Sequence, residues 1–267
     1  MALPAAGKGR RAVRDVRGAG IVVTGGGSGI GAALARRFAA EGGRVVVNDI
    51  NAAAAREVAA SCGATAVPGD AASAAGVAAL VEAAIAALGQ IDVFCANAGI
   101  ARTGGPAAAE ADWDESWQVN VMAHVRAAGQ LIGPWLERGS GHLICTVSAA
   151  GLLSMVGSAP YSVTKHAALG FAEWMSLTYR HRGITVQAIC PQGVRTAMLD
   201  GSDPLAVALL GDSSIEPAIV ADAVLAGIAD GRFLILPHPE VAAMYAGRAA
   251  DPDRWLAGMN KLQRRVE

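Results

Sequence analysis

Tyr161 and Lys165 stand four residues apart, so on a helix they share one face, a turn apart. Pro160 precedes them and is tolerated at a first helical position, which marks the helix as opening there. A phenol is protonated at neutral pH; to serve as a base near pH 7 it needs a downward shift of roughly 3 pKa units, about 4 kcal/mol. A neighbouring ammonium and a helix N-terminus both act in that direction. The chain holds three lysines, Lys8, Lys165 and Lys261, and otherwise uses Arg; a compact ammonium differs from a guanidinium in size and reach, so a lysine here points to a specific demand. Thirteen residues before Tyr161, Ser148 closes an apolar run, a hydroxyl able to bond a substrate oxygen. Tyr and Lys at this spacing also describe an ordinary solvated pair, and what stands upstream decides between the two.

Upstream, a strand-like run ends in Thr24-Gly25-Gly26-Gly27-Ser28-Gly29-Ile30-Gly31 and enters an Ala-rich stretch. Glycines permit a tight turn and close backbone approach, and the following helix N-terminus offers unpaired N–H groups to a pyrophosphate. The spacing departs from G-x-G-x-x-G, because Ile30 or Leu34 stands where the third small residue would fall. Asp49 ends the next apolar run, 20 residues beyond Gly29, where an acid takes the ribose hydroxyls of NAD and would repel the 2′-phosphate of NADP. The turn has no Arg or Lys, and Ile50 follows the acid. Gly69-Asp70-Ala71 and Asn97-Ala98-Gly99 follow two further runs; each also reads as a plain Asx turn.

These residues need a scaffold that brings the ends of several runs together. Apolar runs at 20–24, 44–48, 64–67, 91–95, 142–147, 184–190 and 232–236 read as strands, and stretches at 29–41, 52–61, 73–88, 110–136, 160–182 and 216–230 as helices. Runs rather than alternations indicate strands covered on both faces. The alternation predicts an α/β fold: one Rossmann-type, doubly wound parallel sheet of about seven strands, helices on both faces, with ligands beyond the strand carboxyl ends. No composition shift divides 18–267; residues 1–17, with five basic residues against Asp15, read as a basic, mobile tail.

Composition excludes other classes. With 22 Lys+Arg against 23 Asp+Glu and a net charge of -1, phosphate neutralisation on a nucleic acid is not expected. The longest apolar stretches are interrupted, as by Glu82, so no membrane span is expected. Cys62, Cys95, Cys145 and Cys190 form no C-x-x-C and no metal spacing with His; they read as reduced thiols in a cytoplasmic protein, with no metal.

Taken together the motifs resemble the short-chain dehydrogenase/reductase family over about residues 18 to 240. Its T-G-x-x-x-G-x-G turn matches Thr24 to Gly31, its N-A-G element Asn97 to Gly99, its active-site Asn Asn120, its Ser Ser148 and its Y-x-x-x-K Tyr161 and Lys165. One element departs: Pro-Gly-x-Val-x-Thr appears as Pro191-Gln192-Gly193-Val194-Arg195-Thr196. The resemblance implies that Tyr161 exchanges the alcohol proton, Lys165 lowers its pKa and binds the nicotinamide ribose, Ser148 bonds the substrate oxygen, and Asn120 holds a relay water. It also implies that Pro191, Val194 and Thr196 border the nicotinamide, and that helices 110–136 and 160–182 pair copies into a homodimer or homotetramer.

The substrate wall is expected from the segment after Ser148, the loop 100–106 and residues 196–215, with Leu152, Leu153, Met155, Gln192, Met198, Leu199, Leu205, Leu209 and Leu210 beside Ser148 and Tyr161. This is an apolar lining with little charge except Arg102 and Arg195, suited to a hydrophobic secondary alcohol or its ketone. Trp255, Leu256, Met259 and Leu262 have helical spacing and either cover the pocket or lie over a neighbouring subunit. Trp113 and Trp117 read as packing anchors. The alternatives are an NADPH-dependent carbonyl reductase, against which Asp49 argues, and a silent nucleotide-binding protein, against which intact Ser148, Tyr161 and Lys165 argue.

Overall fold

A computed structural model describes residues 15–200, 207 and 209–266. Its strands are Gly20–Val23 (β1), Arg44–Val47 (β2), Thr65–Ala66 (β3), Val93–Ala96 (β4), Gly141–Thr146 (β5), Ile184–Ile189 (β6) and Leu234–Ile235 (β7). They make one parallel sheet in the order β3-β2-β1-β4-β5-β6-β7. The order reverses between β1 and β4, which opens the crevice at the carboxyl ends.

The helices are Gly29–Ala40 (α1), Ala52–Cys62 (α2), Ala74–Leu88 (α3), Glu110–Trp117 (α4), Ala123–Arg138 (α5), Ala150–Leu153 (α6), Ala159–Tyr179 (α7), Ala197–Asp200 (α8), Pro217–Asp230 (α9), Glu240–Ala250 (α10) and Pro252–Val266 (α11). Strand side chains alternate between two cores. Val22, Leu143 and Cys145 face Leu80, Leu131, Trp135 and Ala172 of α3, α5 and α7. Ile21, Val23 and Ile144 face Leu34, Phe38, Val58 and Val224 of α1, α2 and α9. Both faces are covered, which is why the strands read as runs.

Three expectations change. The stretch 110–136 is not one helix: a π-helical turn, Gln118–Met122, separates α4 from α5, and such turns often mark functional positions. The folded unit begins before residue 18, since Val16 is buried in the core and its carbonyl accepts the Ala19 N–H; residues 1–14 lie outside the described part. Trp117 is 42% exposed, so it is not a buried anchor; Trp113 on the same helix is half-buried. Cys95, Cys145 and Cys190 are buried free thiols and Cys62 a half-buried one. Among the described residues no helix is long and apolar enough to cross a membrane.

Candidate active site

The strand carboxyl ends open onto one cavity of about 800 Å³. Gly25, Ser28, Gly29 and Ile30 line its first part. Gly25 has φ +61°, a conformation that L side chains rarely adopt. Ser28 caps α1 with extended backbone and no side-chain bond to the helix, which leaves first-turn N–H groups for a ligand. Thr24 and Gly31, expected at the cofactor, do not line the cavity. The buried Thr24 hydroxyl accepts the Asn97 and Ala98 N–H groups, each at 3.0 Å, and so ties the glycine turn to the end of β4. A Cβ on Gly31 would stand 2.1 Å from the Gly25 carbonyl oxygen, so its place is needed for the helix to pack on the turn.

Asp49 closes this end: Oδ2 accepts the Gly27 N–H and Oδ1 the Asn51 N–H, both at 2.9 Å. Asp70 accepts the Ala72 and Ser73 N–H groups at 2.7 and 3.1 Å. Hydrogen bonds from Ser73 and Ala72 hold its carboxyl below the usual range. It is therefore both an Asx turn and, with Ala71, cavity wall. Asn97 binds three strand ends: Nδ2 donates to the Thr24 carbonyl at 2.9 Å, and Oδ1 accepts the Thr146 hydroxyl at 3.0 Å. Asn97, Ala98 and Gly99 all line the cavity. Among the described lining residues Asp49, Asp70 and Glu115 are acidic and Lys165 alone is basic. An open helix N-terminus behind a close-approach turn, with a fixed acid at the end of β2, fits a dinucleotide.

Ser148, Tyr161 and Lys165 line the middle of the same cavity. Lys165 is 3% exposed; its Nζ donates to the Thr146 carbonyl at 2.9 Å and lies 5.6 Å from the Tyr161 ring centroid. Burial pushes its pKa from 10.5 down to about 8. The Tyr161 phenol is displaced upward, opposite to the expected direction: burial disfavours the phenolate, and the Ser148 hydrogen bond opposes this only in part. The Ser148 hydroxyl accepts the Ala150 N–H at 3.1 Å.

Asn120 does not line the cavity. It is fully buried in the π-helical turn. Its Oδ1 accepts the Ile100 N–H at 3.0 Å, and its Nδ2 donates to the Ile100 carbonyl at 3.0 Å and to the Thr164 hydroxyl at 3.1 Å. The side chain fixes the chain just after Gly99, beyond the end of β4. His124, on the first turn of α5, is a buried group the sequence does not flag; burial and then the Lys165 charge push its pKa to about 3.

Beyond these residues lies an apolar chamber. Met155, Gln192 and Met198 line the cavity, with Leu199, Leu209 and Leu210, and so do Pro191, Val194 and Thr196. Leu205 lies outside the described residues. Leu152 is corrected: it is 1% exposed in the core, while its neighbour Leu153 lines the chamber. Successive residues of a helix point about 100° apart, so α6 turns the two leucines to different sides, Leu153 reaching the cavity from the edge of the core. Arg102 pairs with Glu115 and Asp112, and Arg195 with Glu216, so neither leaves an uncompensated charge. Met244 of α10 and Trp255, Met259 and Leu262 of α11 form the far wall; Leu256 of the same stripe is 62% exposed and faces away from the pocket lining.

The family described as short chain dehydrogenase matches residues 19–204. The chain is 35% identical over 229 residues to the 1-deoxy-11-beta-hydroxypentalenate dehydrogenase of Streptomyces exfoliatus, covering 82% of either chain. It is 36% identical over 208 residues to the 2,5-dichloro-2,5-cyclohexadiene-1,4-diol dehydrogenase of Sphingobium indicum, covering 76% of this chain and 81% of that one. The crystal structure of a short chain dehydrogenase/reductase from Burkholderia phymatum in complex with NAD superposes with a TM-score of 0.80 at 28% identity, over 90% of this chain and 95% of that one. With the glycine turn, the serine and the tyrosine–lysine pair gathered in one cavity, this chain belongs to the short-chain dehydrogenase family.

Proposed function

We propose that this protein is an NAD-dependent alcohol dehydrogenase, interconverting a hydrophobic secondary alcohol and its ketone. The observation that carries the reading is that Ser148, Tyr161 and Lys165 line the same cavity as the glycine turn and Asp49. Both relatives above are named as dehydrogenases of hydroxylated compounds, and the solved relative holds NAD.

Gly25, Gly29, Ile30 and the α1 N-terminus would hold the pyrophosphate, Asp49 a ribose, Asp70 and Ala71 the base, and Gly99, Lys165, Val194 and Thr196 the nicotinamide side. Bound there, a nicotinamide supplies the hydride acceptor, or the donor in reduction, and a positive charge when oxidised. In oxidation the Tyr161 oxygen takes the hydroxyl proton as the carbinol C–H bond breaks with its electron pair. The Ser148 hydroxyl donates to the same substrate oxygen and steadies its charge. Burial alone keeps Tyr161 protonated, so its ionisation depends on positive charge arriving beside the existing Lys165 ammonium. Asn120 acts behind this group by holding Ile100 and Thr164. Asp49 and the scarcity of bases favour NAD over NADP.

A panel of secondary alcohols with NAD tests the reading. Tyr161→Phe is expected to abolish NADH formation while leaving the dissociation constant for NADH within about twofold; turnover retained by the variant rejects it.

The outer faces of α4 and α7 expose Trp117, Val163, Trp174 and Leu177, the last at 83%. Large apolar groups clustered on a surface favour association, and we propose a homodimer or homotetramer through these helices; sedimentation as a monomer at micromolar concentration would remove it. The free thiols suit a reducing cytoplasm, and a thiol titration of protein from native cells finding disulfides would contradict that placement.

A further inference from the structure

Gln192 stands where the family's pattern has glycine, and its backbone and side chain are held by different partners. Its N–H donates to His238 Nδ1 at 3.1 Å. His238 is buried, in the turn between β7 and α10. This bond fixes the main chain from behind, whatever side chain position 192 carries. The Gln192 side chain lines the cavity instead. Among the described residues its one hydrogen-bond partner is the thioether of Met244, 3.6 Å from Nε2.

A thioether is a weak acceptor, whereas a primary amide has two donors and a carbonyl to satisfy. The cavity lining that Gln192 shares is mainly apolar and includes Leu153, Met155, Met198, Leu210, Met244 and Trp255. The amide is half-buried and its contact with Met244 faces solvent, so a ligand that displaces water from it must supply a partner or leave it unpaired. The reacting oxygen is not that partner, since Ser148 and Tyr161 serve that atom. The wall is also anchored: Arg248 of α10 donates to the Leu152 carbonyl and approaches His166 Nε2 at 3.2 Å, which ties the roof to α6 and α7. The Gln192 amide thus lines a mainly apolar cavity beneath an anchored roof.

We propose that Gln192 determines specificity by hydrogen-bonding a second oxygen, hydroxyl or carbonyl, carried by a bulky apolar secondary alcohol under the α10–α11 roof. The proposal rests on the dehydrogenase reading above and names its substrate class. It differs from a purely apolar pocket in requiring a bifunctional substrate. A site built to bond a polar group discriminates against an analogue that lacks it, because the protein group is then left unpaired.

The test compares kcat/KM with NAD for decahydro-2-naphthol, for the hydroxydecalone isomers and for cyclohexanol, in the parent and in Gln192→Met. Methionine keeps the length of the side chain and its contact with Met244, and the His238 bond to the backbone is untouched. The parent is expected to prefer at least one hydroxydecalone to decahydro-2-naphthol by about tenfold, the worth of one well-placed hydrogen bond. In Gln192→Met that ratio falls to near one, through KM, with NADH affinity within about twofold. An unchanged ratio, no preference in the parent, or a loss confined to NADH affinity overturns the proposal; the last would assign the amide to the cofactor. Oxidation of cyclohexanol but of neither bicyclic class also overturns it while leaving the dehydrogenase reading standing. Oxidation of none of the three removes both.

Discussion

The Lys165 ammonium donates to the Thr146 carbonyl at 2.9 Å and lies 5.6 Å from the centre of the Tyr161 ring. One lysine therefore closes the end of β5 and stands beside the phenol. Its burial has a cost that can be measured. The native pKa is about 8 against an ordinary 10.5, so between those values the unfolded chain binds the proton and the native one does not. Stability rises with pH across that window, and the penalty is felt in full below about pH 8. Its upper bound is about 3 kcal/mol, offset by the hydrogen bond. Lys165→Met is expected to be about 1–3 kcal/mol more stable than the parent at pH 7, with the gain shrinking towards pH 10.5, while turnover is lost. Urea unfolding at pH 7 and pH 10 measures it. No gain at pH 7 would mean the ammonium is better compensated than its surroundings indicate.

Gly31 tests the turn from the other side. Its Cβ would meet the Gly25 carbonyl at 2.1 Å and Asn97 Nδ2 at 2.6 Å. The first is backbone, so the turn must move for alanine to fit. Overpacking of this kind costs about 1–3 kcal/mol, and the displaced turn is the one that would receive the pyrophosphate. Gly31→Ala is expected to lower both unfolding stability and NADH affinity, the latter about tenfold. Thermal melts and NADH fluorescence read the two effects; an unchanged affinity would show that the close approach does not shape the binding turn.

These two residues mark what the sequence made legible. Parallel strands buried on both faces must be apolar runs, so β1, β2, β4, β5 and β6 could be read from residue type alone, whereas the two-residue edge strands β3 and β7 are only partly buried and were legible chiefly from the alternation with helices. Tyr161 and Lys165 were legible because four-residue spacing on a helix fixes a shared face. Thr24 and Gly31 were legible as motif members but not in role: Thr24 acts through hydrogen bonds to residues more than 70 positions away, which no local pattern carries. The π-helical turn at Asn120 was invisible because its five residues, Gln118–Met122, are too few to reveal a change of period. Leu152 and Leu153 could not be told apart, since four helical residues are too few to define a face. The contact between Gln192 and His238, 46 positions apart, depends on where β7 ends. The direction of the Tyr161 shift was misjudged because the charge beside it was visible in the sequence and its burial was not.

On the proposed function, Asp49 is the residue expected to decide between the two nicotinamide cofactors. Its carboxylate is fixed by the Gly27 and Asn51 N–H groups, so it cannot swing away from a ligand on the glycine turn without breaking both. A carboxylate so held accepts ribose hydroxyls and repels a phosphate on the same sugar. A hydrogen bond to a charged group is worth about 1.5–3 kcal/mol, so Asp49→Ala is expected to lower the NAD-over-NADP ratio of kcat/KM by at least about tenfold. Asp49→Asn separates the two effects. It keeps an acceptor for the Gly27 N–H but has no charge, so tolerance of NADP should rise while the turn stays in place. Steady-state rates with each cofactor on one alcohol give the ratio. If it is the same in the parent and both variants, Asp49 has no part in choosing the cofactor, and the preference must be sought in Ile50 and the Asp70 turn.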